Sequence, residues 1–224
     1  MNIEPIAYFH SPLTAKFGIP RQSGLATDLQ GHIVLEPAYR SAEAVRGLDG
    51  FDYIWLIWGF SANGHEPASL TVRPPRLGGN ERVGVFASRS PFRPNGLGLS
   101  AVYINKVEMT HDLGPVIHVL GADLMDGTPI YDIKPYVAYC DSHADVRSGF
   151  VDSHSWQPLR VVMEDRLAAL FTPQELAGLR QVLAQDPRPH YHDDPLRVYG
   201  MSYSGRNVKF TVGDGVLTVI AVET

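Results

Sequence analysis

From residue 1 to about 140 the apolar runs are short, and Gly, Pro or Asn repeatedly breaks them, so this part of the chain favours many strands over helices. The expected strands are Ile3–Phe9, Gly31–Leu35, Tyr53–Phe60, Val83–Ala87, Ala101–Met109, Pro115–Gly121 and Asp132–Tyr139. Strands this short and frequent, with little helix between them, predict a closed or nearly closed barrel. One helical exception is expected at Ala38–Arg46, where Ala42, Ala44 and Val45 sit near Leu48. Residues 141–158 are polar, rich in Ser, Asp and Gly, and read as a linker.

Beyond the linker the pattern changes. Thr172-Pro173-Gln174-Glu175 is a capping box with proline at the first helical position, and Leu176, Leu179, Val182 and Leu183 follow on one apolar face. Asp186-Pro187-Arg188-Pro189 stops that helix. Strand patterning returns in Arg197–Glu223, where Gly213-Asp214-Gly215 joins two apolar runs as a hairpin. The fold class is therefore expected to be mainly β, with a barrel domain over residues 1–140, a linker over 141–158 and a small α+β C-terminal domain over 159–224.

Apolar residues make up 44% of the chain and charged residues 19%, ordinary globular usage that excludes general disorder. The single cysteine, Cys140, excludes a disulfide framework and a Cys-rich zinc site, and fits a reducing compartment. The first residues carry no basic segment ahead of a long apolar run, so no secretion signal is expected. The most apolar stretch, Phe51–Phe60, falls far short of the roughly 20 residues that span a bilayer. A cytoplasmic, membrane-free protein is the expectation.

The net charge of −5 argues against a polyanionic partner until its distribution is considered. Residues 71–95 hold Arg73, Arg76, Arg82, Arg89 and Arg93 against one acid, Glu81. A concentrated positive patch on an acidic body steers anions. Within it, the strand ending near Ala87 opens into a loop where Pro91 and Pro94 fix φ and Gly96 and Gly98 permit close backbone approach. Prolines that hold two arginines in place form a preorganised anion grip, because the guanidinium fork binds carboxylate or phosphate bidentately. Gly96-x-Gly98 lacks the third glycine, the helix and the acidic residue of a dinucleotide fingerprint.

Residues 121–136 bring Asp123, Asp126, Asp132, Lys134 and Tyr136 together on a strand–turn–strand unit. Asp126-Gly127 is turn chemistry, whereas Asp132-x-Lys134 places an acid and a cation on one strand face. An early loop, Phe17-Gly18-Ile19-Pro20-Arg21-Gln22, adds another proline-braced arginine.

Four motifs together resemble the TrmO/TsaA-like family: Arg89-x-x-Phe92-Arg93-Pro94-Asn95, Val72-Arg73-Pro74-Pro75-Arg76-Leu77-Gly78-Gly79-Asn80, Asp126-Gly127-Thr128-Pro129 with Asp132-Ile133-Lys134-Pro135-Tyr136, and Gln185-Asp186-Pro187-Arg188-Pro189. The likeness covers most of the chain, and several motifs in the same order are more specific than any one. Two positions depart from the family pattern: Gly96-Leu97 stands where members carry Pro-Ile, and Ser61-Ala62 where they carry His-Gln.

The resemblance implies an S-adenosyl-L-methionine-dependent, homodimeric β-barrel enzyme. Its implied reaction is N6-methylation of threonylcarbamoyladenosine at position 37 of tRNA. By motif match, the implied cofactor contacts are Pro20, Arg21, Gln22, Arg89, Leu99, Asp123, Leu124, Asp126, Gly127 and Thr128. Methyl transfer from a sulfonium is an in-line displacement that needs alignment and no metal. The accepting urea nitrogen must lose a proton, for which Asp132 and Tyr136 are the candidate bases. Arg73, Arg76, Arg93, Lys134 and Arg188 are candidate tRNA contacts, with Arg206, His190 and Tyr191 extending that surface.

The alternatives are a non-enzymatic nucleotide- or RNA-binding barrel and a metal-dependent hydrolase. The hydrolase would use His190-x-His192-Asp193-Asp194, or His143 with His154, but no third ligand is spaced convincingly. No nucleophile-elbow motif supports serine hydrolase chemistry.

Overall fold

The computed structural model describes residues 2–62, 69–74, 81–153, 156–189 and 194–224. Among these, the strands are β1 (Ala7–His10), β2 (Gln30–Leu35), β3 (Tyr53–Gly59), β4 (Thr71–Val72), β5 (Val83–Gly84), β6 (Leu97–Thr110), β7 (Gly114–Leu120), β8 (Thr128–Pro135), β9 (Arg160–Met163), β10 (Tyr199–Tyr203), β11 (Arg206–Gly213) and β12 (Val216–Glu223). The helices are α1 (Ala138–Asp141), α2 (Asp165–Ala168) and α3 (Pro173–Ala184).

Alternating inward residues close six strands into a barrel in the order β1-β2-β7-β6-β3-β8. Ala7, Phe9, Ile33, Leu35, Ile54, Leu56, Trp58, Val102, Ile104, Ile117, Val119 and Ile130 fill its interior. β1 closes it by pairing with β2 through Phe9↔Ile33 and with β8 through Phe9↔Thr128. The registers His10↔His32, Gln30↔Leu120 and Gly59↔Leu97 put the connections 11–29, 60–96 and 121–127 at one rim.

A second sheet, ordered β10-β11-β12-β9, holds β9 parallel to β12. The α3 capping box is formed, with Thr172 Oγ1 accepting from the Glu175 N–H at 3.2 Å and Glu175 Oε2 accepting from the Thr172 N–H at 2.9 Å. Gly178, Leu179, Val182 and Leu183 are the buried residues of α3. The second apolar cluster also takes Leu13, Ala26 and Leu29 from the connection between β1 and β2. Gly18 of that connection has φ +100, and a Cβ there would lie 2.2 Å from Met201 Sδ.

The barrel expectation holds, while several element boundaries move. The first strand begins at Ala7; Ile6 still bonds to Ile130 and Glu36, and Pro5 before it has no N–H to carry the ladder further. Ala38–Arg46 is not an α-helix: 3-10 turns occupy Pro37–Tyr39, Ala42–Val45 and Leu48–Gly50 with no buried residue among them, so no apolar face pulls them into one helix. Val83–Ala87 is a strand only over Val83–Gly84 before a 3-10 turn. β8 lies four residues earlier than expected at each end. At the C-terminal hairpin, Asp214 and Gly215 take φ of 49° and 72°, the left-handed pair that a two-residue turn requires.

Gly31 sits beneath the Phe9 ring, where an added Cβ would lie 2.2 Å from Cζ. Gly31→Ala is therefore expected to cost about 1–3 kcal/mol and to lower Tm by roughly 3–10 °C in a thermal melt. An unchanged Tm would show that this contact does not limit barrel packing.

Candidate active site

The rim draws its charge from all three connections. On the first, Pro20 is buried while Arg21 and Gln22 are half-buried. Arg21 Nη2 donates to the Asp186 carbonyl at 3.5 Å, and Gln22 Oε1 accepts from Arg89 Nη1 at 2.5 Å. On the second connection, Arg93 Nη1 donates to the Ser88 carbonyl at 2.8 Å, so Arg93 braces the loop from which the exposed Arg89 extends. Gly96 has φ +59° and its N–H donates to the Arg93 carbonyl at 3.1 Å. A proline there could supply neither, so this chain closes its arginine loop in a way the Pro-Ile pattern cannot.

On the third connection, Asp123 Oδ1 accepts from Ser100 Oγ at 2.6 Å, and Ser100 Oγ accepts from Trp58 Nε1 at 3.0 Å. Burial pushes the Asp123 carboxyl above the usual range, opposed by the Ser100 hydroxyl, backbone N–H groups including that of Ser23, and the Arg89 charge. Asp126 accepts from the Ser11 N–H at 3.1 Å and faces His10 Nδ1 at 3.3 Å. Gly127, at φ +75°, donates its N–H to the Phe9 carbonyl at 2.8 Å. Thr128 is buried and its hydroxyl donates to the Met125 carbonyl at 2.7 Å. The Leu124 side chain lies in the barrel core, which leaves only its backbone at the rim.

Contacts at the rim thus bring together Gln22, Arg89 and Asp123, with Leu124, Asp126, Gly127 and Thr128 on the same connection as Asp123, whereas Pro20 is buried and Arg21 turns to the Asp186 carbonyl. Leu99 stands apart on the outer face of β6, in one row with Ile57 and Asp132 through the pairs Ile57↔Leu99 and Ile57↔Asp132. The expected neighbourhood of Asp132 and Lys134 is present as an ion pair of 2.9 Å. Tyr136 lies at the opposite end, where its N–H donates to the Tyr53 carbonyl at 2.9 Å. Within one chain, therefore, neither Asp132 nor Tyr136 joins the rim cluster.

Of the candidate RNA contacts, Arg73 and Lys134 are exposed, and Arg188 holds Asp186 through bonds of 2.9 and 3.0 Å. Arg76, His154, His190, Tyr191, His192 and Asp193 lie outside the described residues. Among the described residues no group of three or more His, Cys, Asp or Glu could hold a metal ion. No described helix is long and apolar enough to cross a membrane.

Sequence reasoning missed Trp58 and Ser100, which look like ordinary barrel residues until register joins them to Asp123. It also missed His10, His32 and His118, aligned across β1, β2 and β7 with ring centroids 5.0 and 5.9 Å apart. Burial first, then the charges of His10 and His118, hold the His32 pKa below its ordinary value against the pull of Asp126. Phe86 and Phe92, exposed on the arginine loop, had a signal in their alternation with arginines.

The family model for the tRNA-methyltransferase O N-terminal domain matches residues 8–142, and that for the TrmO C-terminal domain matches residues 159–224. The tRNA (adenine(37)-N6)-methyltransferase of Escherichia coli strain K12 is 38% identical, with 99% of this chain and 97% of that protein covered. The putative S-adenosylmethionine-dependent methyltransferase RcsF of Pseudomonas aeruginosa is 40% identical over 89% of this chain and 87% of that protein. A crystal structure of TrmO from Pseudomonas aeruginosa superposes with a TM-score of 0.79 at 32% identity, covering 100% of this chain and 98% of that one.

The raised pKa of Asp123 fixes the sign of a pH effect. Burial penalises the charged form, so the folded chain holds this proton more tightly than the unfolded chain, and the penalty is relieved as pH falls through the folded pKa. Protonation also removes the negative charge facing Arg89 and alters the acceptor of the Ser100–Trp58 relay. Trp58 fluorescence should therefore change on acidification with a midpoint above 3.8, the ordinary Asp value, and Asp123→Asn should abolish the transition. A midpoint at or below that value would contradict the assignment.

Proposed function

The chain belongs to the tRNA-methyltransferase O family, and from that premise we propose that it transfers a methyl group from S-adenosyl-L-methionine to N6 of threonylcarbamoyladenosine at position 37 of tRNA, in the cytoplasm. The single observation that carries the site assignment is the convergence of the Arg89–Gln22 contact and the Asp123–Ser100–Trp58 relay at one barrel rim.

The donors and acceptors at that rim fit the cofactor. Arg21 and Arg89 suit its carboxylate. Asp123 and Asp126 suit its ribose hydroxyls and amino group. Pro20, Gln22, Leu124, Gly127 and Thr128 supply side-chain and backbone edges for the remainder. S-adenosylmethionine supplies, when bound, an electrophilic methyl on a sulfonium. What this chain contributes is alignment and the removal of water, which for an in-line displacement accounts for much of the barrier reduction.

Arg73 and the exposed Phe86 and Phe92 provide a cation and two stacking faces on the arginine loop, suited to RNA with an unstacked base. Tyr53, Trp55, Ile57, Leu99 and Tyr103 form an apolar outer barrel face beside the Asp132–Lys134 pair. We assign this face to a homodimer contact. There a second copy's rim would meet Asp132 and Tyr136, the groups proposed to take the N6 proton. Residues 159–224 serve as the C-terminal domain that extends the RNA surface. Sedimentation of the intact protein as a monomer at micromolar concentration would remove the dimer assignment.

Nucleoside mass spectrometry of tRNA incubated with the protein and methyl-labelled S-adenosylmethionine tests the reaction. The label should appear on threonylcarbamoyladenosine. Arg89→Ala should weaken cofactor binding roughly ten- to a hundredfold, as expected for losing a charge-assisted contact. Label on an unmodified adenine or on protein would overturn the substrate, and no transfer to any acceptor would overturn the reaction.

A further inference from the structure

The connection 11–29 carries Gln22 to the rim, yet much of it is held from the C-terminal side of the molecule. Gln181 of α3 accepts the Asp28 N–H on Oε1 at 2.7 Å and donates from Nε2 to Asp28 Oδ2 at 2.8 Å and Thr27 Oγ1 at 3.2 Å. The amide orientation follows from its partners, since a backbone N–H only donates and a carboxylate only accepts. One turn on, Gln185 Nε2 donates to the Leu25 carbonyl at 3.2 Å. Gly178 allows α3 to come this close: a Cβ there would lie 3.1 Å from Leu29 Cα and 3.2 Å from the Asp28 carbonyl oxygen.

On its other side the same segment is stapled to the β7–β8 connection. The Gly24 N–H donates to the Gly121 carbonyl at 2.8 Å, and the Gly121 N–H donates to the Leu29 carbonyl at 2.9 Å. Between the staples and the rim stand Ser23, whose N–H serves Asp123, and Gln22, which receives Arg89. A connection this long and without regular structure stays ordered only if it is held along its length.

We propose that Gln181 is a positioning residue for cofactor binding: α3 grips Asp28 and thereby presets the Gln22–Ser23 segment that Arg89 and Asp123 require. The C-terminal domain then contributes to affinity for S-adenosylmethionine, in addition to any contact with RNA. Preorganisation of this kind acts on affinity by removing the ordering cost from the binding step. The inference rests on reading the rim as the S-adenosylmethionine site.

The test uses the full chain with Gln181→Ala, Gln181→Glu and the double variant Gln181→Glu/Asp28→Asn. Calorimetric titration with S-adenosylmethionine should show Kd raised roughly five- to tenfold in Gln181→Ala, the loss of about one hydrogen-bonded anchor. Affinity for tRNA and Tm should remain near wild type. Gln181→Glu should weaken binding similarly, because its carboxylate faces that of Asp28, and Asp28→Asn should restore it by returning a donor to the pair. Amide exchange at Gly24 and Gly121, which Gln181 does not touch, should quicken in Gln181→Ala and recover in the double variant. Unchanged exchange at those two amides, an unchanged cofactor Kd, or a parallel fall in Tm and tRNA affinity would overturn the proposal. Failure of the wild-type protein to bind S-adenosylmethionine would instead sink the functional reading, and exchange at Gly24 and Gly121 separates the two failures.

Discussion

Closure of the sheet between β1 and β8 is the constraint on which the site depends. Ala7, Tyr8 and Phe9 pair across that seam with Ile130, Pro129 and Thr128, and the Ile6 N–H adds a bond to the Ile130 carbonyl. A closed antiparallel sheet has no free edge, and it fixes which connections leave from which end. Once Phe9 is locked against Thr128, the Gly127 N–H reaches the Phe9 carbonyl and Asp126 reaches Ser11, so the third connection is set against the first. An open sheet with the same strands would leave Gln22, Arg89 and Asp123 on loops with no common destination.

The connection 11–29 belongs to both halves of the molecule. Leu13, Ala26 and Leu29 are buried with α3 and the second sheet, whereas Gly24 and Ser11 bond to the rim of the barrel. Burying those apolar side chains removes surface from water at about 25 cal/mol per Å², and the gain is available only if the connection runs through the second cluster. Polar atoms of the same segment are then delivered to the barrel. The connection 11–29 thus straps the two apolar clusters together, so loosening either end acts on the other.

Strand periodicity made the barrel legible, because inward alternation in Tyr53–Gly59 and Gln30–Leu35 survives any uncertainty at the ends. The capping box and the Asp214-Gly215 turn were legible because they depend on neighbours in sequence. β9 was not read, since four residues pairing parallel with β12 carry no local turn signal. The proline-braced arginines pointed to the rim, but which of them does what was set by long-range contacts. Arg93 bonds back to Ser88 while Arg89 crosses to Gln22, and no local pattern distinguishes them. Asp132 and Tyr136 are close in sequence and both candidate bases, yet the barrel places Tyr136 just past β8 beside the start of β3, away from the rim.

The charge of the partners separates the basic residues into two sets. Lys106, Lys134, Arg166, Arg188 and Lys209 pair with carboxylates, so each contributes little field beyond its own neighbourhood. Arg82 bonds to the Ser69 and Thr71 hydroxyls, Arg93 to a carbonyl and Arg89 to an amide oxygen, all of them neutral acceptors. Among the described residues none of these three guanidinium groups forms a salt bridge, although Arg89 faces the Asp123 carboxyl. Net charge alone, −5 over the chain, would predict repulsion of a polyanion. Holding Arg89 and Arg93 on neutral oxygens leaves more of their positive field than a carboxylate clamp would, and phosphate attraction depends on that local field. The hydroxyls and carbonyls that brace the loop are thus as much a part of anion recognition as the arginines they hold.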